Sequence, residues 1–245
     1  MIVSLLFGRG GSKGLPGKNV TKLLGRKVLH YPIIACQNSK YVEKMYCSTD
    51  GEYIAEAARE MGLEIIDRPD ELCTDESLIH DAIVHAAKHV TDQHKVKYFV
   101  ITLCNAPNLT TERVDKAIEM LDENPKLDSV ISVGRYDMYQ PERARTPSKE
   151  DPMVLEPYVP FESFKHKVSC DRSAHLPSYF SDGGFTVVRS ECLIDIHDNL
   201  LPFLWMGKTI GYIEQPAGGG DIDYAWQIPV LEEWLRAEGF EEVKS

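Results

Sequence analysis

Two hydrophobic patterns alternate along the first half of the chain. Unbroken apolar runs of strand length occur at Ile2–Phe7 and Tyr98–Leu103, with shorter strand-like runs at Lys44–Thr49, 63–66 and 129–133. A run that is apolar at consecutive positions fits a strand covered on both faces, as in a parallel sheet. Between these runs lie segments with helical spacing. One begins over 28–35, and another spans 52–61, with Ile54, Ala55, Ala58 and Met61 in phase and Gly62 as its stop. A third, 77–90, carries Ile79, Ala82, Ile83, Ala86, Ala87 and Val90 in phase. Thr110 or Thr111 can cap a fourth helix through Leu121, with Glu112 adding negative charge to its first turn. This order predicts an α/β fold, a Rossmann-like three-layer sandwich with a mostly parallel sheet.

The pattern breaks at residue 135. Residues 135–177 are rich in proline, charge and aromatics and hold no sustained period. Tyr136, Tyr139, Tyr158, Phe161 and Phe164 are the wrong composition for a solvated linker, so the segment is expected to be a structured lid or dimerisation arm. It is read as an insertion within a single domain spanning 1–245. Regular structure resumes with a strand at 184–188 and a C-terminal helix over 224–240, ending near Gly239.

Charge changes the picture of what the protein can bind. The 27 Lys and Arg against 38 Asp and Glu leave a formal charge of −11, so the average field repels nucleic acid and anionic membranes. A polyanionic substrate therefore needs a local cationic pocket. The six cysteines, at 36, 47, 73, 104, 170 and 192, form no CxxC pair and no metal-ligand spacing, which reads as reduced thiols held mostly in the core. The apolar N-terminus lacks a basic flank and runs at once into Gly8-Arg9-Gly10-Gly11, so it is expected to be a buried strand and not a signal peptide. No stretch approaches the ~20 apolar residues of a membrane span. The expectation is a cytoplasmic protein with neither nucleic-acid nor membrane partners.

The loop after the first strand carries the strongest chemistry. From Phe7 to Asn19 it holds five glycines, one hydroxyl and three cations (Arg9, Lys13, Lys18) in thirteen residues. Glycines let backbone amides approach an anion while the side chains surround it with positive charge, a design for a polyphosphate. It is neither a Walker A loop nor the dinucleotide GxGxxG fingerprint. Near the other end of the chain, Asp221 and Asp223 follow three glycines. In an extended conformation the two carboxylates project from one side, which reads either as a solvated turn or as a pair of hard oxygen ligands of the kind Mg²⁺ takes.

This loop resembles the opening signature of the acylneuraminate cytidylyltransferase family, x-A-R-G-G-S-K-G-[IL]-x-x-K-N, with Gly8 in place of the usual Ala. The resemblance extends to Cys47-Ser48-Thr49-Asp50, Arg68-Pro69-Asp70-Glu71-Leu72, Thr74-Asp75, Asp128-Ser129-Val130-Ile131-Ser132-Val133 and Asp221-Ile222-Asp223. It implies transfer of CMP from CTP to an acidic 2-keto sugar with release of pyrophosphate, Mg²⁺ dependence and a homodimer. Arg9 and Lys18 would offset charge on the reacting phosphates. Gly10, Gly11, Ser12, Lys13 and Asn19 would hold the nucleotide, Arg68 and Ser77 would lie on its cytosine side, and Asp221 and Asp223 would hold the metal.

The chain departs from the family on the acceptor side. Where the family reads L-L-Q-P-T-S-P, Thr102-Leu103-Cys104-Asn105-Ala106-Pro107 places Leu103 at a Gln that contacts the sugar. Leu offers no hydrogen bond in its place. Asn105 from that segment, Arg172 from a shifted R-Q-x-L-P motif, and Arg143 from the arm are the residues expected to meet the acceptor. Two other classes fit the same features: a transferase using another NTP and a sugar 1-phosphate, or a catalytically silent nucleotide-binding protein. His80, His85 and His89 recur on one helical segment but read as its polar flank. Trp205, Tyr212, Tyr224, Trp226 and Trp234 read as core and interface.

Overall fold

The computed structural model of the chain describes residues 1–11, 14–171 and 175–243. Strand β1 (Ile2–Phe7) is buried at every position, as its unbroken apolar run predicts. After the glycine-rich loop, β2 (Lys22–Leu23) and β3 (Arg26–Lys27) form a small hairpin, so helix α1 runs only over His30–Gln37. The hairpin turn holds Gly25 at φ 79°, where an added Cβ would lie 2.2 Å from the Val243 carbonyl oxygen. Only glycine satisfies both the left-handed backbone and that approach.

The next elements follow the predicted alternation: β4 (Lys44–Thr49), α2 (Glu52–Arg59), β5 (Glu64–Asp67), α3 (Ile79–Thr91), β6 (Tyr98–Leu103), α4 (Thr111–Glu123) and β7 (Ser129–Arg135). A hairpin of β8 (Arg145–Pro147) and β9 (Leu155–Pro157) interrupts the series. It resumes with β10 (Tyr179–Arg189), β11 (Ile210–Gln215) and α5 (Gln227–Ala237). Thr110 is the extended residue before α4, but its side chain makes no capping bond; Thr111 instead donates to the Ala35 carbonyl at 3.0 Å.

The large sheet has the order β11-β7-β10-β6-β1-β4-β5, and β10 alone runs antiparallel to its neighbours. Its side chains sort by the period of two. Val3, Leu5 and Phe7 pack with Ala82, Ile83, Ala86 and Val90 of α3 on one face. Ile2 and Leu6 face the layer of α1, α2 and α4. This is the three-layer α/β sandwich. Each fully buried Leu or Ile contributes about 1.5–3 kcal/mol, so a strand covered on both sides is the natural spine. Cys36, Cys47 and Cys104 are buried, and all six cysteines are free thiols. Among the described residues no helix is long and apolar enough to cross a membrane.

Segment 135–177 lies between β7 and β10, which are paired neighbours in the sheet. It is internally bonded: buried Glu142 meets His166 at 2.6 Å, and Gln140 donates to the Leu176 carbonyl at 2.5 Å. Its apolar side chains nevertheless face outward, with Met153 91% and Tyr158 68% exposed.

Candidate active site

Strand β1 sits mid-sheet, and the chain builds β4 and β5 on one side of it before crossing to β6 on the other. Such a reversal opens a crevice at the carboxyl ends of the strands, where open α/β sheets bind ligands. Here it is a cleft of about 400 Å³ bordered by Phe7 and Gly8 after β1 and by Leu103 at the end of β6. Into it the fold brings Arg9, Lys18, Asn19, Arg68, Ser77, Asn105 and Asp221, the first and last of them more than two hundred positions apart in the chain.

The floor shows why residue 8 is glycine. A Cβ there would lie 2.6 Å from the Cys104 thiol and 3.0 Å from its Cβ. Burial and the neighbouring Cys47 push the Cys104 thiol well up, so it stays protonated. Gly8→Ala should cost about 1–3 kcal/mol by overpacking. In a double-mutant cycle read by urea denaturation, Cys104→Ala should recover part of that loss; strict additivity would disprove the contact.

Each expected site residue can now be placed. Arg9 donates to the Thr74 carbonyl at 2.6 Å and to Asp75 at 3.0 Å. Asn19 is buried, and its amide holds the Arg9 carbonyl at 3.0 Å, so it shapes the loop as well as lining the cleft. Gly10 differs from expectation. Its N–H is donated to Asp50 at 2.8 Å, its carbonyl accepts from Tyr53, and its Cα packs so near Gly51 that a Cβ would lie 3.1 Å from the Gly51 Cα. Its amide is therefore committed to the protein, and the glycine serves loop-to-loop packing. Gly11 is exposed with open space around it. Ser12, Lys13 and Arg172 lie outside the described residues.

The Arg68 guanidinium spans two strand ends, donating to the Ser48 carbonyl at 2.8 Å and reaching the Gly8 carbonyl at 3.5 Å. Ser77 precedes α3 instead of starting it; its hydroxyl donates to the Glu71 carbonyl at 2.7 Å and meets the Thr74 hydroxyl at 2.8 Å. Asn105, expected to meet the acceptor, lines the cleft and also bonds the protein. Its side-chain nitrogen binds the Ile222 carbonyl at 3.0 Å and Asp221 at 3.3 Å, while the Ile222 N–H bonds back to the Asn105 carbonyl at 2.9 Å. Asn105 thus clamps the Asp221-Ile222-Asp223 segment to the end of β6. Arg143 is exposed, bonds the Cys170 carbonyl at 3.0 Å and does not line the cleft.

The two aspartates have different surroundings. Asp223 pairs with Lys18 at 2.6 Å. Burial, and secondarily the charge of Asp223, push the Asp221 carboxyl above its ordinary value. A divalent cation would relieve that repulsion, and Mg²⁺ commonly takes one or two carboxylates and completes its shell with phosphate oxygens and water. Two carboxylates are the donor chemistry such an ion takes, and of the two Asp221 lines the cleft while Asp223 is held by Lys18. No group of three or more His, Cys, Asp or Glu gathers as a metal site among the described residues. The His89 ring meets Tyr46 edge-on at 6.4 Å, and His80 lies 3.6 Å from Asp81.

A second cleft of about 480 Å³ adjoins the first, sharing Ile79, Leu103 and Asp221 with it. Trp205 lines it, whereas Trp234 is core and Tyr212, Tyr224 and Trp226 are exposed, so the five aromatics expected in core and interface have separate surroundings. Sequence reasoning missed the buried network beneath this cleft, where Asp182 accepts from Ser132 at 2.5 Å and Gln215 at 2.7 Å. It also left Asp50 and Asp75 without a role, although both close a motif matched to the family.

Residues 3–151 match the family model described as Cytidylyltransferase. The chain is 32% identical to N-acylneuraminate cytidylyltransferase A of Danio rerio over 98% of its own length and 52% of the relative's. It is 31% identical to the N-acylneuraminate cytidylyltransferase of Escherichia coli over 55% of this chain and 31% of that one. The chain thus spans about half or less of these curated relatives. The fold is similar to that of CMP:2-keto-3-deoxy-manno-octonic acid synthetase complexed with CTP, at TM-score 0.67, 14% identity and coverage of 97% and 99% of the two chains. It is also similar to a 4-diphosphocytidyl-2C-methyl-D-erythritol synthase, at TM-score 0.64, 8% identity and coverage of 96% and 99%.

Proposed function

The chain belongs to the cytidylyltransferase family, and from that premise we propose that it transfers CMP from CTP to an acidic 2-keto sugar, releasing pyrophosphate. The observation that carries the reading is convergence: the glycine-rich loop, Arg68, Ser77 and Asp221 line one cleft at the sheet's switch point. An N-acylneuraminate cytidylyltransferase is among its relatives across nearly all of this chain. The sugar's anomeric hydroxyl would attack the α-phosphorus; the new P–O bond replaces the one to pyrophosphate, and the hydroxyl proton leaves to solvent. In-line phosphoryl transfer asks the protein mainly for positioning and charge neutralisation. Arg9 and Lys18 would supply charge, with Ser12 and Lys13 of the same loop, while Arg68 and Ser77 hold the base side. Asp221 and Asp223 would hold Mg²⁺, which neutralises phosphate charge and lowers the pKa of oxygens bound to it.

Pyrophosphate release with CTP and a panel of eight- and nine-carbon 2-keto acids tests this. Turnover with CTP and one such acid is the expected result. Turnover only with another NTP and a sugar 1-phosphate, or nucleotide binding without turnover, would overturn it.

The proposal includes a homodimer, with segment 135–177 of one copy at the site of the other. Outward-facing Met138, Tyr139, Met153, Leu155 and Tyr158 supply an apolar face for a second copy. Arg143, Arg145 and Lys165 are exposed on the same segment, and with Arg172 they provide cations for the acceptor carboxylate in an otherwise acidic protein. Light scattering at micromolar concentration should give twice the chain mass. A monomer that stays fully active after Met153→Asp and Tyr158→Asp would refute the arrangement.

A further inference from the structure

Resting on the proposed transfer reaction, we infer that Tyr136, at the root of segment 135–177, is a positioning residue of the site: its hydroxyl pins the glycine strap 218–220 and so fixes where Asp221 enters the cleft. The role is indirect, because the phenol acts on the backbone that carries the carboxylate.

The strap needs a pin because it has no side chains of its own. Three consecutive glycines precede Asp221, and Gly218 holds φ 99°, which residues with a Cβ rarely adopt. Gly219 rests on the protein, where an added Cβ would lie 3.0 Å from the Asn108 Cβ and 3.1 Å from the Trp234 indole nitrogen. Its neighbours hang free. Among the described residues, an added Cβ at Gly218 meets Val230 at 4.0 Å, and one at Gly220 meets nothing within 4 Å. Two spaces border the strap: the second cleft, and a pocket of about 250 Å³ walled by Trp226, Val230 and Leu231. The flanks are fastened, with the Pro216 carbonyl accepting from Trp234 at 3.0 Å and Ile222 bonded to Asn105. Between those points the strap could still move.

Tyr136 meets this stretch with its hydroxyl, which accepts from the Gly218 N–H at 3.0 Å and points its donor at the Gly219 carbonyl, 3.5 Å away. The phenol is itself held. A Cβ on Gly134 would lie 2.6 Å from the Tyr136 ring, Phe180 meets that ring edge-on at 6.2 Å, and the Tyr136 N–H donates to the Ser178 carbonyl at 2.9 Å. The ends of β7 and β10 thus fix the phenol, and the phenol fixes the strap. Glycine has more backbone freedom to lose than any other residue, so one bonded amide here narrows the directions in which Asp221 can point. Small displacements of a positioning group cost rate steeply. Because the root of segment 135–177 supplies the phenol, the placement of Asp221 depends on that segment being seated.

The test is Tyr136→Phe, which removes the hydroxyl and keeps the ring. Amide hydrogen exchange of a peptide spanning 216–221 should quicken by at least about fivefold, as loss of one net hydrogen bond allows. Peptides from β1 and β6 should keep native rates, and Tm should fall by no more than about 4 °C. With CTP and a 2-keto acid that the native protein turns over, kcat should fall about tenfold while KM for CTP stays unchanged, since the glycine-rich loop, Arg68 and Ser77 carry the nucleotide. Native exchange rates at 216–221 in the variant overturn the pin. Faster exchange there with native kcat overturns the link to Asp221. Faster exchange throughout the sheet, or a parallel rise in KM for CTP, shows a general loosening and overturns the positioning role. Absence of pyrophosphate release from the native protein with every 2-keto acid overturns the transfer reading and the kinetic half of this inference, and the exchange result alone then upholds or overturns the pin.

Discussion

Lys18→Ala should lower kcat about 100-fold or more while leaving the fold intact, the loss associated with removing a charge that stabilises a phosphoryl-transfer transition state. Its surroundings sharpen the expectation. The ammonium is largely buried and lies 2.6 Å from Asp223, so before nucleotide binds it neutralises one of the two carboxylates assigned to the metal. Binding of MgCTP would exchange partners: Lys18 passes to phosphate and Asp223 to the cation. Two readouts separate this role from a structural one. Circular dichroism and Tm should stay near native values, because the pair is partly solvated and such pairs contribute little. Mn²⁺ should bind the nucleotide-free variant more tightly than the native protein, since no ammonium competes for Asp223. Near-native turnover would remove Lys18 from the mechanism.

How far the sequence reveals the protein depends on where each signal comes from. β1 and β6 are legible because strands covered on both faces must be apolar at consecutive positions, and both are buried almost throughout. β11 escapes the same reading. It is an edge strand with Ile210, Tyr212 and Glu214 exposed, so its pattern resembles surface chain. The first half of β10 is hidden by a bulge between Ser181 and Thr186 that falls on two glycines. At the site, local motifs name Arg9, Lys18, Arg68 and Asp221 correctly as neighbours of one cleft. The pairings are not local. Lys18 meets Asp223 across 205 positions and Arg9 meets Asp75 across 66, and nothing in either motif encodes the partner. Gly10 shows the limit from the other side: glycine announces a close backbone approach, but the approach is to Gly51.

Asp221→Asn should abolish most activity, by about 100-fold or more, and yet raise Tm. The isosteric amide keeps an oxygen but not the charge that a hard cation needs from its ligand. The gain in stability follows from the sign of the perturbation. Burial and the charge of Asp223 raise the Asp221 carboxyl above its unfolded value. A carboxyl that is harder to ionise in the folded state than in the unfolded one costs stability once pH exceeds both values, so removing its charge relieves that cost at neutral pH. Asp223→Asn is the control: it also removes a carboxylate proposed to hold the metal, but it takes away the partner of Lys18, so activity should fall without a rise in Tm. Both variants should need more Mg²⁺ for whatever turnover remains, measured by titrating the metal against pyrophosphate release. If the native protein stays active in excess EDTA, the metal assignment of both aspartates is wrong, and the raised carboxyl of Asp221 then requires a different use.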